Sequence, residues 1–279
     1  MTHIVNVIYR ASSGNEYNLQ AKRKLRIKKG NFHKYEWKAI EKTLTLGSKI
    51  NGFTKEPVSY ETTLVFQEQD KELREKLHDD FDSDITNMTP GVIIWGDYYI
   101  NCYITSSSTY PDENIDRWTD NDILIYYPYP FWIKEQDWIY EILSGSSVQS
   151  DYLDYKMDFP YEFTSNNSIA KYLINNSQNP VNFKMIIYGK CSNPMIQIGG
   201  HTYQVNTTVG ENEYLVIDSK NHTIHRVLMY GTKVNEFNNR YKRESVFEKI
   251  KPGKMSVVWS GAFALDIILM YERSEPAWS

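Results

Sequence analysis

The spacing of apolar and polar residues changes character along the chain. Ile4–Arg10, Leu25–Ile27, Tyr35–Leu46 and Tyr60–Phe66 are short runs rich in β-branched and aromatic residues, which predicts strands. From Glu68 to about Ile85 the period lengthens: Leu73, Leu77, Phe81 and Ile85 recur four apart with charged residues between them. That spacing predicts an amphipathic helix laying one stripe on a sheet, with pairs such as Glu72–Lys76 on its solvated face. Beyond it, Val92–Trp95 and Tyr98–Thr105 flank Gly96-Asp97 as a hairpin with a two-residue turn. The polar stretch Ser106–Asp122 reads as a loop, and Ile123–Tyr129 as a strand. The prolines of Pro128-Tyr129-Pro130-Phe131-Trp132 end that strand sharply.

The second half shows strand patterning without a helix. Candidates are Phe183–Tyr188, Met195–Ile198, Thr202–Val205, Glu213–Ile217, His222–Leu228, Met255–Trp259 and Phe263–Tyr271. Gly199-Gly200 joins the second to the third, and Asp218–Asn221 the fourth to the fifth. Short strands at hairpin spacing, with no helix to cross over, predict an antiparallel sandwich. The expected division is 1–140 and 141–279, with the boundary between about Phe131 and Ser150. There is no internal repeat and no low-complexity tract.

Composition adds an emphasis on rings: the 279 residues include 22 Tyr, 11 Phe and 7 Trp. Counting Gly in place of Tyr brings the apolar share to roughly 38%, below the roughly 45–50% of an average soluble domain. Large amphipathic rings replace aliphatic surface, and they suit either partner interfaces or aromatic β-cores with nothing oligomeric about them. The net charge is −4. The one basic cluster, Lys22, Arg23, Lys24, Arg26, Lys28 and Lys29, is interleaved with Leu25 and Ile27. It reads as a half-buried strand or arm with a solvated face, or as a contact for an acidic partner, and is too isolated to argue for nucleic-acid binding.

Cys102 and Cys191 lie far apart in strand-like runs, so two buried reduced thiols are expected. Met1–Arg10 lacks a charged leader followed by an apolar core, and no window reaches the roughly 20 apolar residues of a membrane span. Folding in a reducing cytoplasm is the expectation. The Asn-x-Ser/Thr matches at Asn87, Asn166, Asn175, Asn206 and Asn221 would matter only on a eukaryotic secretory route, which nothing else supports.

Nucleotide loops, a nucleophile elbow and a zinc-protease helix are absent from the sequence. His222 and His225, three apart on one strand, would face opposite sides and could not share a metal. His201 has no companion. Asp116, Asp120 and Asp122, and again Asp151, Asp154 and Asp158, match neither the spacing of a calcium loop nor a readable glycosidase pair, and solvated loop acids are the simpler reading. No residue is therefore assigned as catalytic, cofactor-binding or metal-ligating, no cofactor is expected, and an enzyme is disfavoured.

Three stretches carry a family likeness. They are Ile123–Trp132 with its Tyr-Pro-Tyr-Pro-Phe-Trp ending, Val181–Gly189 continuing through Asn193-Pro194 to Gly199, and the closing set Phe247–Gly253, Val258–Gly261 and Tyr271–Trp278. In order and spacing these resemble the distal tail proteins (Dit) of siphophages and the related tail-component family of Gram-positive phages and prophages, over essentially the whole chain. The resemblance implies a mainly β protein: an N-terminal split β-barrel with one α-helix, and a C-terminal galectin-like antiparallel β-sandwich. It also implies a structural virion protein at the tail tip, made in the bacterial host cytoplasm and closing as a homo-hexameric ring at the distal end of a long non-contractile tail. Such a ring joins the tail tube protein to the tail hub or tail-associated lysin, anchors a receptor-binding protein, and lets DNA pass through its channel without a membrane contact. The acidic balance fits a channel that DNA must not stick to. Larger relatives carry an inserted carbohydrate-binding module, for which this chain has no extra segment.

Two further readings compete with it. One is a carbohydrate-binding tail or baseplate module that contacts host cell-wall sugars, with Asn235, Asn238, Asn239 and Arg240 as polar candidates. The other is a tail hydrolase, which needs two acids brought together in a cleft.

Overall fold

The structure is a computed structural model that describes residues 6–21, 24–67, 71–111, 118–142 and 171–277. The chain forms two compact units, Met1–Lys134 with Glu272–Ser279, and Glu135–Tyr271. Among the described residues the architecture is mainly β with one α-helix, and the strands pair antiparallel within each unit.

The first unit contains β1 (Val7–Arg10), β2 (Glu16–Asn18), β3 (Gln20–Ala21), β4 (Leu25–Lys29), β5 (Lys38–Thr43), β6 (Ser48–Thr54) and β7 (Val58–Gln67). Helix α1 (Lys71–Thr86), β8 (Gly91–Trp95), β9 (Tyr98–Pro111) and β10 (Trp118–Tyr127) follow, and β11 (Trp132–Tyr140) carries the chain into the second unit. Its main sheet runs β2-β1-β8-β9-β10-β7-β4-β3. The two ends of that order are consecutive pieces of one segment. Leu19, between them, donates its N–H to the Val7 carbonyl at 2.8 Å and accepts the Ile27 N–H at 2.9 Å. The sheet thus curls and closes on itself, with the closing strand split at Leu19.

Alternation decides what enters this core. Ile123, Ile125 and Tyr127 of β10 and Leu64 and Phe66 of β7 are buried beside Tyr9, Ile93 and Ile100. The turn Gly96-Asp97 behaves as expected: Trp95 pairs with Tyr98, and Gly96 takes the left-handed φ of +58° that such turns require.

Two expectations for this unit need correction. The described residues of the stretch Ser106–Asp122 do not form a loop: they supply the end of β9 and the start of β10, paired from Leu124↔Ser106 to Thr119↔Pro111, while 112–117 lie outside the described residues. Pairing gives several of its polar side chains partners in the sheet: Asn121 donates to Ser107 and Thr109 at 2.8 and 2.7 Å, and Asp122 accepts from Thr63 and Tyr110, both at 2.6 Å. The prolines end the strand where the sequence places its stop: β10 closes at Tyr127, and β11 begins soon after at Trp132. Finally, the inward stripe of α1 is Leu77, Asp80, Phe81 and Asp84, with Leu73 partly buried, while Ile85 is 43% exposed. Two carboxylates occupy helix positions that apolar residues would otherwise take.

The second unit contains β12 (Lys171–Asn175), β13 (Asn182–Tyr188), β14 (Cys191–Ser192), β15 (Met195–Ile198), β16 (His201–Gln204) and β17 (Thr208–Val209). After these come β18 (Tyr214–Asp218), β19 (Thr223–Val227), β20 (Lys233–Asn235), β21 (Gly253–Trp259) and β22 (Leu265–Arg273). One sheet runs β20-β19-β18-β13-β22, the other β12-β21-β15-β16, and β14 pairs with β17. Phe183, Met185, Ile187, Ile217 and Ile267 of the first sheet and Leu173, Ile196, Ile198, Tyr203 and Val257 of the second share one apolar core. Gly199 and Gly200 make the β15–β16 turn with φ of +55° and +86°. β12 and β20 are strands that the sequence pattern does not predict, since both lack the long alternation that marks the others.

Candidate assembly surface

Among the described residues β5 and β6 pair only with each other and stand apart from the main sheet. All residues from Lys34 to Asn51 are exposed. The sequence predicts one strand across Tyr35–Leu46, but the chain turns back at Leu44–Gly47, where Leu44 donates its N–H to the Gly47 carbonyl at 3.0 Å. The result is an arm carrying Tyr35, Trp37, Ile40, Leu44, Leu46, Ile50 and Phe53 on its surface, with Leu46 at the tip 93% exposed. A lone two-stranded hairpin is marginal in water. Exposed apolar side chains grouped in this way are suited to burial against a partner.

Register assigns the two faces of the arm. Ala39/Phe53 and Glu41/Ile50 lie on one side; Lys38/Thr54, Ile40/Gly52 and Lys42/Lys49 lie on the other. Lys42 and Lys49 are directly opposed like charges, an arrangement that costs stability unless an acidic group faces them.

The base of the arm is anchored firmly. Lys55 Nζ sits 4.6 Å from the Phe131 ring centroid and 5.2 Å from those of Tyr35 and Trp37, and donates to the Pro130 carbonyl at 3.1 Å. Trp37 and Phe131 meet edge to face at 5.8 Å, and Lys38 forms an ion pair with Glu56. Burial pushes the Lys55 amine down to about 8. Beside it lies a cleft of about 180 Å³ lined by Tyr35, Lys55, Tyr60, Tyr127 and Trp132 among others. A lysine whose amine is lowered by burial is the type used in Schiff-base chemistry. Here three ring faces and a carbonyl engage its ammonium, and the geometry is that of a clasp joining the arm to the barrel.

A second polar constellation holds α1 to the barrel. Asp84, wholly buried, accepts from the Tyr9 hydroxyl and from the Ser12 N–H at 2.8 Å. Asp80 accepts from Ser13 and Asn15 at 2.8 and 2.9 Å and from the Tyr17 hydroxyl. Burial raises the Asp80 carboxyl, but these donors outweigh it and hold the group below the usual carboxylate range. The Tyr9 phenol is pushed well up by burial and by Asp84. Gly91 packs beneath the pair: a Cβ there would meet Asp84 and lie 2.6 Å from the Tyr9 hydroxyl.

The residues singled out in the sequence are dispersed. Within the basic cluster, Arg26 lies over Trp118 at 4.8 Å and Lys28 pairs with Asp120 at 2.7 Å, while Lys22 and Arg23 fall outside the described residues. Asp120 and Asp122 are strand residues of β10 instead of solvated loop acids; Asp116, Asp151, Asp154 and Asp158 lie outside the described residues. His222 belongs to the turn before β19, with φ of +52°, and packs near Phe247; His225 is within the strand. His201 contacts the Ser245 carbonyl at 2.8 Å. Cys102 is buried, but Cys191 is only half-buried, and both are free thiols.

Asn235, Asn239 and Arg240 are engaged locally: with the Phe237 N–H at 2.9 Å, with Glu236, and with the Phe237 carbonyl at 2.7 Å. Glu236 in turn pairs with Arg226 at 2.9 Å, and Arg226 with Glu213 at 2.8 Å. Among the described residues no group of three or more His, Cys, Asp or Glu is placed to hold a metal ion. Sequence patterning reveals neither the apolar arm nor the buried carboxylates of α1. The signal available for the arm is the Leu-Thr-Leu-Gly run at 44–47, since Gly47 takes a left-handed φ of +87°.

No protein-family model matches the sequence, and no curated protein matches it. Solved structures share the fold. The Dit (gp 19.1) protein of SPP1, described as a paradigm of the hub adsorption apparatus in Gram-positive infecting phages, is 9% identical with a TM-score of 0.57, over 97% of this chain and 99% of that one. A chain of the phage P2 baseplate in its activated conformation with Ca is 10% identical with a TM-score of 0.64, over 98% and 100%. The corresponding baseplate chain with Sr is also 10% identical, with a TM-score of 0.63 over the same shares.

Proposed function

We propose that the chain is a structural, non-enzymatic subunit of a phage tail tip: a distal tail protein whose first unit closes as a homo-hexameric ring. The ring joins the tail tube protein to the hub or tail-associated lysin, and the second unit anchors a receptor-binding protein. The protein resides in the virion, and DNA passes through the ring's channel. The observation that carries this reading is the arm β5–β6, an apolar hairpin with no partner strand in its own chain among the described residues. It is mounted on a curled barrel whose fold, together with that of the sandwich unit, is shared along nearly the whole length of a hub protein and a baseplate chain. A closed ring needs a heterologous contact whose rotation closes, and such an arm is suited to making one.

Native mass spectrometry and electron microscopy of the purified chain, alone and with tube and hub proteins, test this directly. Six-fold rings are expected; a chain that stays monomeric at high concentration with both partners present overturns it. The acidic balance of the protein fits passage of DNA, since phosphate contacts by Lys and Arg would release counterions and favour sticking. A channel lined mainly by Lys and Arg would contradict that part.

A further inference from the structure

The arm needs a receiving surface of stated chemistry: acidic opposite Lys42 and Lys49, and apolar opposite Leu44 and Leu46. The described surface of the first unit offers one. Glu72, Glu75, Asp79 and Asp82 of α1 are all exposed and recur at three- and four-residue spacing, so they share a helix face. Past them the surface turns apolar, with Ile85 43% and Met88 84% exposed. Met88 also holds a left-handed φ of +51°, at the point where the Thr89 N–H returns to the Asp84 carbonyl at 3.0 Å. Glycine is the residue that adopts this helix-ending conformation without strain. Met88 holds this strained backbone with its large apolar side chain in solvent, and a surface that covers it removes the cost of that exposure.

The geometry points to a specific contact, resting on the ring reading above: the tip of the β5–β6 arm of one copy docks on the C-terminal half of α1 of the next copy. Lys42 and Lys49 face Asp79 and Asp82, while Leu44 and Leu46 cover Ile85 and Met88. The order of the chemistry matches along both elements. From Lys42 to Leu44 the strand advances about 7 Å, and from Asp79 or Asp82 to Ile85 the helix advances about 5–9 Å. Neither Lys42 nor Lys49 has an ion-pair partner among the described residues, so acidic groups of a second copy would relieve the repulsion within this cross-strand pair. The donating and receiving surfaces differ, so the contact is heterologous, as a closing ring requires.

Charge exchange tests the pairing. All four charged residues are exposed, so the isolated fold should tolerate their reversal, which melting curves verify. Lys42→Glu/Lys49→Glu and, separately, Asp79→Lys/Asp82→Lys should each raise the concentration for half-assembly about tenfold, equivalent to about 1.4 kcal/mol. Mixing the two variants, or combining the four changes in one chain, should restore most of the loss. As a covalent check, Leu46→Cys with Met88→Cys should give a disulfide-linked ladder ending at the ring under oxidation. If wild type assembles and both charge variants assemble equally well, or if the combined variant shows no recovery and no ladder forms, the contact is wrong while the ring stands. If wild type itself never assembles with tube and hub proteins present, the ring reading fails first.

Discussion

Replacing Tyr9 by Phe removes one hydroxyl and leaves the ring, which packs edge to face on Phe81 at 5.2 Å and beside Tyr17 at 6.2 Å. That hydroxyl donates to Asp84, a wholly buried carboxylate that also accepts the Ser12 N–H. A hydrogen bond to a charged group contributes about 1.5–3 kcal/mol, and a buried acceptor left short of donors adds its desolvation penalty. The expected loss is therefore about 3 kcal/mol, at the upper end for a hydrogen-bond deletion. Tyr17→Phe is the internal control, because Asp80 keeps Ser13 and Asn15 as donors and its loss should be closer to about 1 kcal/mol. Urea denaturation followed by hydrogen exchange at β8 and β9 amides reports the first unit without interference from the second. If Tyr9→Phe costs no more than Tyr17→Phe, the assignment of Asp84 as the carboxylate that ties α1 to the barrel is wrong.

Asp80→Asn should remove an acid-sensitive part of stability. Since the folded-state carboxyl is held below its ordinary value of about 4, the stabilisation is present above that value and is lost as pH falls through the folded one. Melting temperatures of wild type and variant should accordingly differ near neutral pH and converge in acid. Gly91→Ala should cost about 1–3 kcal/mol by overpacking Tyr9 and Asp84, seen as a lower urea midpoint with unchanged slope. For Lys55 the sign is opposite to a salt-bridged lysine. Its amine, pushed down to about 8, releases its proton in the folded state while the unfolded chain holds one up to about 10.5, so stability gains across that window. The gain should be absent in Lys55→Met, measured by thermal melting across the same pH range.

Much of the strand framework was legible because its physics is local. Phe183, Met185 and Ile187, or Leu265, Ile267 and Leu269, alternate in the sequence because one face of the sheet is dry. Gly96 and Gly199-Gly200 announce turns through a backbone conformation that other residues avoid. The four-residue period over Leu73, Leu77 and Phe81 likewise requires only a helix with one covered side. Polar segments were harder. Ser107, Thr109 and Asn121 look like a loop until two strands bring them within hydrogen-bonding distance, and Asp80 and Asp84 look solvated until Tyr9 and Tyr17 arrive from segments more than 60 residues away.

The arm shows the same division most sharply. Its strand character and aromatic content are properties of the sequence between Tyr35 and Phe53. That these side chains face outward was decided only by the tertiary structure, because the barrel closes on residues 16–21 and, among the described residues of that unit, leaves no main-sheet edge for the arm to join. An alternating apolar strand carries the same pattern whether its dry face meets its own core or another molecule. Burial is set by which partner is present, and that is a property of the assembled chain and not of the local sequence.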